Sequence, residues 1–281
     1  MHTIAPTCAS GYYPGKSAVV SASNALLRVI AGVVVAIGVA CSSQARAADE
    51  EIQVYLNEIN QPGQPGLDLH VNGVTSGVVA PDYPGGQSSL HRVRITPEFS
   101  YGLSDHFELG VYLPLATIDS TGQFRVDGWK VRMKWLGRHP EKGFYYGVNY
   151  EVGRLDHHID QNPWNNEIKL IGGWDSEKWI IGANLNFDFA LSGPAKTQPG
   201  VQLATKVGYK LSRVTTIGIE SYNGFGTVND FGRLAGNDEA TFVAIDTRIS
   251  RWDLNLGLGK GYGSNRDNTI IKLVIGVPIG K

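Results

Sequence analysis

Cysteine is nearly missing from this chain. The two residues present, Cys8 and Cys41, both fall near the N-terminus, so the rest of the protein can hold no disulfide and use no thiolate. Long apolar runs are missing too. Beyond Ala40 nothing approaches the roughly 18 consecutive apolar residues of a membrane-spanning helix. There is no excess of basic charge: 25 Lys and Arg stand against 26 Asp and Glu, which argues against a nucleic-acid partner. No nucleophile elbow, P-loop or dinucleotide fingerprint occurs. Gly259-Lys260-Gly261-Tyr262-Gly263 is too short for the last and lies on a strand pattern. Ser89, His91 and Glu98 are residue types that an outer-rim hydrolase could use, but such a trio recurs by chance, and no catalytic residue is assigned. Asp156-His157-His158-Ile159-Asp160 is the one cluster of metal-ligand types. Neighbours on a loop rarely converge on an ion without further ligands, so a solvated loop is expected, with no metal and no cofactor.

The N-terminal segment reads as an export signal. Arg28 precedes an apolar run from Val29 to Ala40, and Ala45-Arg46-Ala47 follows as an A-x-A cleavage site. No acidic residue occurs before Asp49. Cleavage is expected near Ala48. Lipidation of Cys41 is disfavoured because Gly38-Val39-Ala40 lacks the usual large aliphatic residue. Residues 1–47 are therefore assigned as a secretory signal peptide with a long leading region, 48–66 as a periplasmic lead-in or plug strand, and 67–281 as the main domain.

That domain alternates apolar and polar residues. Phe107-Glu108-Leu109-Gly110-Val111-Tyr112-Leu113 and Trp129-Lys130-Val131-Arg132-Met133-Lys134-Trp135 are typical. A period of two places alternate side chains on opposite faces of a strand. Twelve such segments are predicted, at 67–73, 90–101, 106–115, 124–136, 144–153, 164–174, 179–190, 201–209, 215–222, 241–250, 252–261 and 269–279. Many are longer than the usual five or six residues of a globular strand and match a tilted membrane-crossing strand of about 9–11. Short turns (102–105, 137–142, 175–178, 211–213 and Arg251) alternate with longer polar loops (155–163, 191–200 and 223–239). The expected fold is all-β: a transmembrane antiparallel up-and-down barrel of about 12 strands, with short periplasmic turns and longer external loops. Tyr101, Phe107, Trp135, Phe144, Trp174, Trp179 and Trp252 flank the short turns and suit an aromatic girdle at headgroup level. The bland reading is that these are ordinary aromatics at strand ends. The segment Glu51–Ile59 also alternates, but a thirteenth strand would break the even count of bacterial barrels.

The pleat gives an inward-facing list. Its basic members are Arg92, Arg94, Lys130, Arg132, Lys134, Lys169, Lys206, Lys210, Arg248 and Lys272. Its acidic members are Asp68, Glu98, Glu108, Glu151, Glu167, Asp188, Glu220, Asp246 and Asp253, and His70 and His106 add titratable rings. Arg92, Arg94, Lys130, Arg132 and Lys134 could bias a pore toward anions. The competing reading, that these cations pair with Glu98 and Glu108, is preferred because opposite charges in a confined lumen attract. Inward glycines (Gly110, Gly128, Gly147, Gly182, Gly208, Gly218, Gly257 and Gly259) mark curvature or leave lumen volume.

The stretch Arg94-Ile95-Thr96-Pro97-Glu98-Phe99-Ser100-Tyr101-Gly102-Leu103-Ser104-Asp105-His106-Phe107-Glu108-Leu109-Gly110-Val111, together with Leu56-Asn57-Glu58-Ile59-Asn60 and Asp68-Leu69-His70-Val71-Asn72, resembles transporter-like outer-membrane proteins of the MetA-pathway of phenol degradation family. The resemblance covers most of the chain after the leader and rests on structural motifs. It implies an outer-membrane barrel that moves small molecules, aromatic or hydrophobic compounds among them, and it carries over no catalytic residue. Three functions fit the sequence: a channel or transporter of the outer membrane, which is preferred; a structural or ligand-binding barrel with a closed lumen; and a soluble periplasmic β-protein. For the first, the expected partners are outer-membrane lipid and lipopolysaccharide, small-molecule solutes and the outer-membrane assembly machinery.

Overall fold

The computed structural model describes residues 51–81, 83–193, 198–231, 239–263, 265 and 267–279. The leader, its Ala45-Arg46-Ala47 site, the expected start near Ala48 and both cysteines lie outside these residues. Long alternating segments form twelve staves: β1 Pro65–Ser76, β2 Val93–Gly102, β3 Phe107–Ile118, β4 Phe124–Arg138, β5 Gly143–Leu155, β6 Trp164–Asp175, β7 Trp179–Ser192, β8 Gly200–Lys210, β9 Thr215–Thr227, β11 Ala240–Ile249, β12 Trp252–Gly261 and β13 Thr269–Gly276. The two-residue β10, Asp230–Phe231, only extends the end of β9. Each stave pairs antiparallel with its neighbours along the chain, and β1 closes on β13 with Asp68 opposite Gly276 and Asn72 opposite Lys272. The strands from Pro65 to Gly276 form a closed up-and-down barrel, so no edge of this sheet is left open. No helix occurs among the described residues.

All twelve predicted segments become staves, most of them one to five residues longer at an end than the pattern showed. The short turns gather on the rim where β1 begins and β13 ends. The opposite rim carries the longer connections, with one exception. Residues 119–123 form a tight turn, because the Asp119 carboxylate accepts from the Thr121 amide (2.9 Å), the Thr121 hydroxyl (2.6 Å) and the Gln123 amide (3.0 Å). On that rim the β1–β2 connection packs on the β5–β6 loop. Tyr83 donates to the His157 carbonyl at 2.9 Å, and the Gln87 amide donates to that of His158.

The alternation slips at two adjacent points. The β3 register shifts between Tyr112 and Leu115, and β4 bulges at Gly128. Gly128 has φ of +147°, and a Cβ there would sit 2.1 Å from the Arg154 carbonyl oxygen. The expected inward Gly128 is thus a bulge residue, and parity flips across it: Lys130 and Asp127 both turn inward. An unbroken period of two cannot reveal such a flip.

The outside is apolar. Phe99, Met133, Ile181, Val207, Ile219, Val243, Leu256 and Leu258 are all more than a third exposed, while Glu98, Arg132, Lys206 and Glu220, each next in sequence to one of them, are buried inside. A continuous apolar exterior around a polar interior is the inverse of a water-soluble sandwich and the surface of a membrane barrel.

Candidate functional site: the barrel lumen

The alternation that sends Met133 outward sends Lys130, Arg132 and Lys134 inward, and the walls bring them to acids on neighbouring staves. Arg132 bridges Glu98 (Nε to Oε1, 2.5 Å) and Glu108 (2.7 Å), while Lys134 reaches Glu108 at 3.0 Å. His70 contacts Glu98 at 3.1 Å. A second group joins Lys169 to Glu167 (3.1 Å) and Glu151 (3.9 Å), with Asn149 donating to Glu151 at 2.7 Å. A third links Lys206 to Glu220 (3.1 Å) and Asp246 (2.7 Å), and Lys272 to Glu220. Apart from Asp246, whose side chain is 36% exposed, these groups are almost wholly buried, so each charge relies on its partner in place of water.

Glycines make room for the long side chains. A Cβ at Gly110 would lie 2.6 Å from the Arg132 Nε, and one at Gly257 would lie 2.8 Å from the Lys272 stem. At these positions the glycines serve as space under a crossing side chain more than as curvature.

The other expected inward residues take varied places. Arg92 is buried just before β2, Asp188 is buried on β7, and both have polar partners. Lys130 lines the lumen and also has a partner. Asp68 lines the lower cavity described below. At the short-turn rim Lys210 pairs with Asp175, and Arg248 pairs with Asp253 at 2.6 Å in the open. His106 is not a lumen group. It sits exposed in the β2–β3 turn, with its ring Nδ1 2.6 Å from the Leu136 carbonyl, because β3 begins only at Phe107. Arg94 is buried, and among the described residues its Nε and Nη1 find no partner.

The lumen is not empty. Residues 51–60 form no strand, contrary to the lead-in or plug strand read from their alternation, though they take the place of a plug. They lie inside the barrel, where their backbone groups find side chains of the wall. Asn184 clamps Tyr55 twice, accepting from its amide at 2.6 Å and donating to its carbonyl at 2.9 Å. Asn60 donates its amide to Glu108 at 2.7 Å, and Lys272 donates to the Ile52 carbonyl at 3.2 Å. The Tyr55 hydroxyl meets that of Tyr112 at 2.7 Å, and its ring lies 4.0 Å below the Lys169 ammonium. Val54 and Leu56 pack with Val74, Ala204, Tyr222, Phe242 and Ile270, while Tyr55 packs with Leu136, Tyr145 and Ile171. Staves all around the barrel therefore touch this one segment. Below it, toward the short-turn rim, a cavity of about 590 Å³ is bounded by Glu58, Asp68, Lys134, Lys210, Arg248 and Asp253, among others. Above it lies a smaller one of about 90 Å³. Sequence reasoning missed Tyr55, Tyr112, Asn60 and the clamp by Asn184. Tyr112 and Asn184 had the right parity, but nothing in the pattern announced a chain for them to hold.

On the outer face, Tyr101, Phe107, Phe144, Trp174, Trp179 and Trp252 are each between 44% and 51% exposed, beside the short turns. Register sets Phe107 opposite Trp135, and Phe144 opposite Trp174. Trp179 meets Tyr209 edge-on at 5.0 Å, a member of the ring that the sequence reading left out.

The loop cluster at Asp156–Asp160 is bound up in local contacts. His158 bonds Asp156 through Nδ1 and receives Arg125 at Nε2 (2.7 Å), and the first contact holds the Asp156 carboxyl below its ordinary range. Ser89, His91 and Glu98 are not brought together: Ser89 donates to Asp267 at 2.5 Å, Glu98 lies in the lumen and His91 is exposed.

No family model matches the sequence, and no curated protein matches it. Solved structures do. The COG4313 outer membrane channel from Pseudomonas putida F1 superposes with a TM-score of 0.55 at 12% identity, over 80% of this chain and 99% of that one. The chain has the outer-membrane β-barrel fold. The KdgM porin is also similar, at 14% identity over 76% of this chain and 99% of its own, with a TM-score of 0.49. At such identities the likeness speaks for the fold, and function has to be argued from the lumen itself.

Proposed function

We propose that this protein is an outer-membrane channel for small molecules whose lumen is closed at rest by residues 51–64. The observation that carries this reading is the segment itself. It is separate from the wall and is held by a countable set of hydrogen bonds. It stands between two cavities, the lower of them wide and lined with charge. A barrel built only as a scaffold has no need of so large a polar space, whereas a conduit does. That the COG4313 structure is a channel supports the reading. The sequence resemblance to the MetA-pathway of phenol degradation family extends the proposal to small aromatic or hydrophobic compounds as cargo. The charged residues at the cavity walls, Lys134, Glu108, Lys206, Asp246 and Arg248 among them, would then line the path. The aromatic ring would seat the barrel at the periplasmic headgroups of the outer membrane, to which an N-terminal signal peptide delivers it.

A second reading has its own support. The buried networks around Arg132 and Glu220 suit a barrel whose interior is permanently closed. Liposome swelling separates the two. The channel reading expects slow solute entry with the whole protein and fast entry when residues 51–64 are deleted, with heat-modifiable gel mobility confirming that both fold. A deletion variant that inserts and folds yet admits nothing leaves the closed barrel.

A further inference from the structure

On the outer face of β5, the outward positions are apolar or aromatic from the short-turn rim upward. Phe144, Tyr146, Val148, Tyr150 and Val152 are followed there by an arginine, Arg154. Arg154 stands ten residues beyond Phe144, a member of the aromatic ring. That is about 33 Å along a strand, or about 25 Å along the barrel axis at a tilt of roughly 40°. The apolar band of an outer-membrane barrel has the same height, about 25 Å. Arg154 therefore lies at the far edge of the band, on the long-loop side, which meets the outer leaflet in the seating proposed above. Its neighbours are aromatic. Register sets Trp129 of β4 opposite Arg154 on one side and Trp164 of β6 opposite it on the other. The two indole rings meet across β5 at 5.7 Å, edge to face. Arg154 itself is exposed and has no hydrogen-bond or ion-pair partner among the described residues. The acids closest to it in sequence are engaged elsewhere: Asp156 bonds His158, and Glu151 is buried in the lumen.

A cation on the lipid face is costly at the bilayer midplane and close to neutral at the interface. At the interface it meets headgroup phosphates, and a guanidinium takes a phosphate through two parallel hydrogen bonds. Tryptophan settles at the same level, with its amphipathic ring between headgroup and acyl chain. A phosphate monoester carries about −1.5 to −2 charges at neutral pH, more than the diester of a glycerophospholipid can, so the monoesters on the sugars of an outer-leaflet glycolipid suit an unpaired arginine best. We infer that Trp129, Arg154 and Trp164 form a docking site for lipopolysaccharide, with a phosphate of its lipid A on Arg154 and an acyl chain along the two indoles. The inference takes from the function proposed above only the seating of the barrel, and it does not depend on transport.

The test is native mass spectrometry of the purified, folded protein released from detergent micelles, with three lipids titrated in turn. They are lipid A with both phosphates, the same lipid dephosphorylated, and phosphatidylglycerol, which brings a phosphate diester without the sugars. One-to-one binding of phosphorylated lipid A is expected, at least tenfold tighter than that of either other lipid. Arg154→Gln should weaken it at least tenfold, and Arg154→Lys should keep part of the affinity. Arg138→Gln, which removes an exposed cation at the opposite rim, should leave it unchanged. Heat-modifiable gel mobility shows that each variant is folded. Dephosphorylated lipid A or phosphatidylglycerol binding as tightly as phosphorylated lipid A would overturn the inference. So would an unchanged affinity in folded Arg154→Gln, or an equal loss in Arg138→Gln. If Arg154→Gln does not fold, the preference of the unmodified protein among the three lipids decides alone. A protein that binds lipid A through Arg154 yet passes no solute in liposomes loses the channel reading and keeps the site. One that passes solutes without such binding loses the site and keeps the channel.

Discussion

Single residues in this barrel are governed by which face they occupy. Leu185 points outward in mid-strand between Leu170 and Leu203, while Gln202 points inward beside Asn186. Leu185→Arg should cost about 2–4 kcal/mol of stability, the range for a basic residue on the lipid face near the bilayer midplane. Gln202→Arg should cost far less, because the lumen is polar. Urea unfolding of the folded protein in lipid vesicles measures both, and equal costs on the two faces would contradict the assignment. Glu220 offers a second test. It is 1% exposed and holds Lys272, which is fully buried, and Lys206. Glu220→Gln removes the acid and leaves the Lys272 charge facing no carboxylate, so a loss of about 3–5 kcal/mol is expected. Adding Lys272→Met should recover most of it, since the buried ammonium that lost its acid is then replaced by an apolar side chain. A double variant no more stable than Glu220→Gln alone would show that the cost lies in packing.

At the scale of elements, the staves were legible, whereas the occupant of the lumen appeared only as one of two readings of residues 48–66 and with the wrong backbone. Trp252–Gly261 and Trp179–Ser192 could be read directly, because lipid on one side and polar groups on the other impose a strict two-residue beat on every crossing strand. The inward parity of Arg132, Lys169 and Glu220 followed from that beat. The pairing of Arg132 with Glu98 and Glu108 followed from the attraction of opposite charges in a confined lumen, but the partners of Lys169 and Glu220 did not, since pairing depends on register between staves and a pleat says nothing about register. The slip at Gly128 was hidden for a related reason: it inserts one residue without changing composition. Glu51–Ile59 misled most. Its alternation is real, yet its backbone is satisfied by Asn184, Glu108 and Lys272 in place of a neighbouring strand. The Asn184 clamp makes this testable. Asn184→Leu keeps the side-chain volume and removes both hydrogen bonds to Tyr55. Amide exchange in residues 52–60 should then speed up by about tenfold or more, given roughly 1 kcal/mol or more per hydrogen bond lost. Exchange in β7 and β8 should stay slow. Equal acceleration in the staves would mean that the segment is an integral part of the barrel and no separable closure.

Over the whole molecule, the wall and its content divide the work. The closed ladder from β1 to β13 satisfies the backbone in a medium with no water, and its apolar exterior holds it in the bilayer. The interior carries networks of charge that fix the wall's shape. One segment, with Leu56 against Gly182, blocks the way through; a Cβ at residue 182 would come within 2.4 Å of the Leu56 side chain. The described chain contains no cysteine, so a Leu56→Cys, Gly182→Cys pair introduces the only thiols there and can tie the segment to β7 by oxidation. Recording this variant in planar lipid bilayers, oxidised and then reduced, is the most direct measurement of the central claim. If residues 51–64 close the lumen, the oxidised protein is silent and reduction brings reversible openings like those of the unmodified chain. Steady conduction with the crosslink intact would contradict it, and so would silence in the reduced, unmodified and 51–64-deleted proteins alike.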